Sequence, residues 1–67
     1  MSLGSNIEKY RKKAGLSREK LVIKCAGKFS AVHLARVEKG TVKNPGIELV
    51  RAIANILHVS IDRLTEE

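Results

Sequence analysis

Much of what lets a small protein staple itself together or do chemistry is missing here. There is one cysteine, so no disulfide can close within the chain. Cys25, His33 and His58 lack the paired ligand spacing of a zinc site, and no metal is expected. Trp is absent, and Tyr and Phe occur once each, so any core is aliphatic. No stretch nears the roughly 20 apolar residues of a membrane span, no signal peptide is visible, and no membrane partner is expected. No apolar–polar alternation is long enough for a sheet. No nucleophile, base and orienting group stand at catalytic spacing, and no phosphate-binding glycine loop occurs. The expectation is a non-enzyme with no cofactor and no small-molecule ligand. A lone reduced thiol fits the cytoplasm.

What is present points to a polyanion. Thirteen Lys and Arg against seven Asp and Glu give +6 on 67 residues. Such a charge favours nucleic acid first and an anionic membrane surface second. The length allows one domain of marginal stability. Hydrophobic residues at 43% suffice for a compact helical unit.

The punctuation predicts five short helices. Residues 1–4 are read as an appended remnant or a frayed end, and residues 5–67 as the domain. Ser5 starts the first helix, with Glu8 completing a capping box and Gly15 ending it. Ile7, Tyr10, Arg11 and Ala14 share one face. Ser17 caps the second helix, whose inner stripe is Leu21, Val22 and Cys25, and Ala26–Lys28 closes it. Ser30 caps the third, which runs to Lys39 and stops at Gly40. A turn with Asn44-Pro45 follows. The fourth, about 47–57, is apolar around most of its circumference, as a central helix is. Ser60 caps the last, with Ile61 and Leu64 facing inward. The fold class is all-α: a five-helix bundle with short connections.

Residues 30–45 are the most informative stretch. They form a capped helix that buries Leu34 and Val37, shows Arg36 and Lys39 to solvent, and leads into a basic turn. In so small and basic a chain, that pattern suits a helix that enters a DNA groove.

The wording around that helix carries a resemblance. Gly15-Leu16-Ser17-Arg18-Glu19-Lys20-Leu21 resembles the Gly-Leu-Ser-Gln-Glu-Glu-Leu opening of the lambdoid repressor and Cro family, the XRE-type helix-turn-helix. Arg36-Val37-Glu38-Lys39-Gly40 resembles its Arg-Ile-Glu-Arg-Gly. Asn44-Pro45 and Leu57-His58-Val59-Ser60-Ile61-Asp62-Arg63-Leu64 resemble its Asn-Pro and Leu-Gly-Val-Ser-Leu-Asp-Glu-Leu. The likeness spans about residues 6–65.

The resemblance implies a lambda repressor-like domain whose recognition helix, 30–39, lies in the major groove. It implies that Ala31, Val32, His33 and Arg36 face bases or nearby backbone. It makes Arg18 a phosphate anchor, Lys43 and Asn44 backbone contacts, and Arg11–Glu38 a structural ion pair. Lys28 and Lys39 add charge beside them. Arg36 either grips guanine O6 and N7, worth about 1–3 kcal/mol of discrimination, or makes only a phosphate contact. Ala31 and Val32 can press on thymine methyls but cannot hydrogen-bond a base. The implied partner is double-stranded DNA bearing a short palindromic operator. A homodimer is expected through the fifth helix and the edge of the fourth, in a bacterial or phage-encoded regulator. In one departure from the family, Cys25–Ser30 is about two residues longer than the usual turn, which either tilts the third helix or lengthens the second. The alternative is a protein-interaction module of the same fold that has lost sequence reading.

Overall fold

Four of the five helices begin at a serine whose side chain accepts the backbone N–H three residues on. A computed structural model, which describes residues 2–42 and 44–66, places α1 at Leu3–Lys13, α2 at Arg18–Lys24 and α3 at Ala31–Glu38. Helix α4 spans Ile47–Leu57 and α5 spans Ile61–Thr65. Among the described residues there is no strand. No described helix is long and apolar enough to cross a membrane.

One side chain from each helix meets at the centre. Ile7, Leu21, Leu34, Ile53 and Leu64 are all fully buried. Around them sit Val37, Leu49, Val50, Ala54 and Leu57, with Cys25 closing the end of α2. Burial pushes the Cys25 thiol above its ordinary pKa, and the Lys28 ammonium offsets this only in part. Helix α3 rests on α1 and α2, whereas α4 packs on α1, α2 and α5. Helices α3 and α4 share little direct contact, so a cleft stays open between them.

The start of α1 differs from the sequence expectation. The helix begins at Leu3, and the capping box is Ser2–Ser5, not Ser5–Glu8. Ser2 Oγ accepts from Ser5 N–H at 3.2 Å, and Ser5 Oγ accepts from Ser2 N–H at 3.0 Å. The extra turn has a packing cause. Gly4 is buried against the end of α3, so closely that a Cβ there would lie 2.1 Å from the Val37 carbonyl oxygen. Residues 2–4 therefore belong to the packed unit. Two residues further on, Asn6 is buried and its Nδ2 donates to the carbonyls of Leu64 at 2.9 Å and Glu66 at 2.6 Å. This ties the last turn of α5 to the first helix.

The long connection between α2 and α3 neither lengthens α2 nor runs as a loose loop. Ala26 (φ 61°) and Gly27 (φ 67°) adopt consecutive left-handed conformations that turn the chain at once. The Gly27 N–H returns to the Val22 carbonyl at 3.0 Å, a helix-ending bond of the Schellman kind.

Candidate nucleic-acid interface

Local sequence sets which face α3 shows. Successive residues turn by about 100° around a helix. Leu34, Val37 and Glu38 fall on one side and are buried. Val32 and Arg36 fall opposite and are exposed, and exposed Lys39 continues their line at the C-cap. Val32 leaves 63% of its surface to water, with no core neighbour to claim it. Ala31 and His33 are half-buried on the two flanks of this strip. His33 turns toward α4, where it lines the cleft with Lys28.

Ser30 Oγ accepts the His33 N–H at 3.0 Å and begins α3 cleanly after the turn. At the other end, the Arg36 carbonyl accepts from Thr41 N–H at 2.9 Å and from Val42 N–H at 3.3 Å. The chain thus folds back against the last turn of α3. Asn44, beyond it, is exposed. Lys43, named above as a backbone contact, lies outside the described residues.

The inner end of α3 is held by charge. Arg11 Nε donates to Glu38 Oε2 at 2.7 Å, and Arg11 Nη2 donates to Oε1 at 3.2 Å. The third Arg11 nitrogen, Nη1, donates to the Leu16 carbonyl at 2.8 Å. The Glu38 side chain is 1% exposed and that of Arg11 7%. Such a pair is rigid because all three Arg11 nitrogens and both Glu38 oxygens are engaged.

Arg18 joins this network. Its Nε donates to Glu38 Oε1 at 3.0 Å, and its Nη2 lies 3.8 Å from a Glu8 carboxylate oxygen. The residue implied to be a phosphate anchor is therefore engaged within the molecule, with its side chain 32% exposed. Two arginines and two glutamates neutralise one another where α1, α2 and α3 meet. Among the described residues, Lys28, Arg36 and Lys39 are exposed and form no ion pair.

Sequence reasoning missed Gly4, Asn6 and the Arg18–Glu38 bond. Asn6 carried a usable signal: a short polar side chain inside a helix, one position from the core residue Ile7, needs a backbone partner. Gly4 and Arg18 carried none, because their partners lie in another helix.

The face expected for self-association is largely used by the core. Leu64 is fully buried, and Val59 and Ile61 are half-buried against the core cluster. Among the described residues, the large exposed hydrophobic ones are Ile23 on α2, Val32 on α3 and Ile47 at the start of α4. Among the described residues, no three His, Cys, Asp or Glu side chains gather as a metal site needs. No family model matches the chain, and no curated protein or solved structure matches it.

Proposed function

We propose that the chain is a sequence-specific, double-stranded-DNA-binding transcriptional regulator of the Cro/repressor (XRE) type. In this reading α2, the turn and α3 act as a helix-turn-helix, with α3 in the major groove. One observation carries it. The Val32–Arg36–Lys39 strip faces solvent on a helix whose opposite side is locked by Leu34, Val37 and the Glu38 network. An exposed, cation-bearing edge on a rigid support suits a protein that must present side chains to base edges at a fixed angle.

Arg36 is the direct reader, and Val32 with Ala31 contacts thymine methyls. Lys28, Lys39, Lys43 and Asn44 serve the phosphates. The amides at the starts of α2 and α3 add partial positive charge there. A homodimer, joined through what the core leaves exposed of Val59 and Ile61 by α5 and of Ile56 on α4, reads a two-fold operator in the cytoplasm of a bacterium or a phage host. The protein binds and does not catalyse.

The test is selection of bound sites from random duplex DNA, run in parallel with Arg36→Ala. The expected result is a short consensus containing guanine, whose guanine preference weakens in the variant. If the chain enriches no sequence and fails to bind duplex at low salt, the proposal fails and the protein-interaction reading takes its place.

A further inference from the structure

The cleft between α3 and α4 has both an apolar floor and a charged rim. Lys28, Phe29 and His33 form one wall, and Pro45, Ile47 and Arg51 form the other. Ile47 leaves 56% of its surface in water beside half-buried Phe29. No core role accounts for that exposure, because α4 meets the core through Leu49, Val50 and Ile53. Lys28 and Arg51 are exposed, and Glu48 is the one acidic residue along the lining. Among the described residues the ion pairs fall on Arg11, Lys12 and Arg18, and no described carboxylate holds Lys28 or Arg51.

We propose that this cleft docks an acidic segment of another protein. One bulky apolar side chain of that segment seats against Phe29 and Ile47, and its carboxylates meet Lys28 and Arg51. Charge complementarity selects this occupant. A second copy, itself +6, offers no net negative charge to Lys28 and Arg51, and the proposed dimer joins through α5 and the edge of α4 instead. Duplex DNA brings negative charge but keeps its bases stacked, with no free apolar side chain for the floor. Lys28 also borders α3, so the docked segment and a duplex compete for the chain. That last step alone rests on the DNA-binding reading.

The probe is a short synthetic helical peptide with Leu and Trp on one face and Glu on the other. It is titrated into the isotope-labelled chain while amide shifts are followed. The expected shifts centre on Phe29, Ile47 and Ala52. Ile47→Ser, at an exposed position, should weaken binding about tenfold through lost apolar contact. Arg51→Ala should also weaken it, while the amide spectrum stays folded in both variants. Three results overturn the proposal: equal binding of polyglutamate, shifts spread over the whole basic surface, or concentration-dependent self-association that moves the same amides. No peptide binding with duplex binding intact also overturns it and leaves the DNA reading standing. Peptide and duplex binding at once removes only the competition.

Discussion

At Glu38, one carboxylate accepts from two arginines, and its burial makes the arrangement stiff as well as costly to break. Removing it strands the Arg11 guanidinium, whose side chain is 7% exposed. An unpaired buried charge costs about 3–5 kcal/mol. The whole stability of a domain this small is only about 3–10 kcal/mol. Glu38→Ala should therefore lower the melting temperature steeply, and any folded remainder should keep the base preference that the proposed function requires. An unchanged melting temperature would reject the structural role. Both partners are named in the sequence, because the family resemblance pairs Arg11 with Glu38. The second arginine is not, since the resemblance assigns Arg18 to a phosphate and not to Glu38.

At the scale of the element, the informative piece is the connection between α2 and α3. Of the two outcomes its length left open, a longer α2 is not what the backbone takes, since the helix ends at Lys24. Ala26 and Gly27 instead form a left-handed pair that spares α2 any extension. Glycine holds that conformation without penalty, whereas alanine there costs about 1–2 kcal/mol. Ala26→Gly should raise the unfolding midpoint in urea by the equivalent of about 1 kcal/mol, net of the backbone entropy that glycine loses on folding. A destabilised variant would show that the Ala26 methyl makes contacts worth more than the strain. The serine caps at 17, 30 and 60 were legible beforehand, since a cap is a bond between near neighbours. The start of α1 was not, because Ser2 and Ser5 both satisfy the local rule. Gly4 packing against α3 selects between them.

For the molecule as a whole, net charge favours a polyanion, in the proposed function DNA, but the fold decides which cations are available for it. Arg18, Arg11 and Lys12 face carboxylates of the chain itself. If about six phosphates are neutralised, log K should fall with log salt at a slope near −5. Arg18→Ala should lower thermal stability and leave that slope unchanged, because the arginine already serves Glu38. A slope smaller in magnitude by about 1 in the variant would show instead that Arg18 swings out to a phosphate on binding. Salt titrations of duplex affinity for both proteins measure this directly.

Helix number, helix type and the central apolar residues follow from local bonding and the 3.6-residue period, so the order of residues alone determined them. Ile7, Leu21, Leu34, Ile53 and Leu64 were each visible as apolar positions at helical spacing. Which atoms from distant segments would touch was decided only by the packed structure. It sets Gly4 against Val37, ties Asn6 to the end of α5, turns Arg18 inward and opens a cleft beside Ile47. The physical reason is that burial and buried hydrogen bonds depend on separation in space, while a sequence pattern reports separation along the chain.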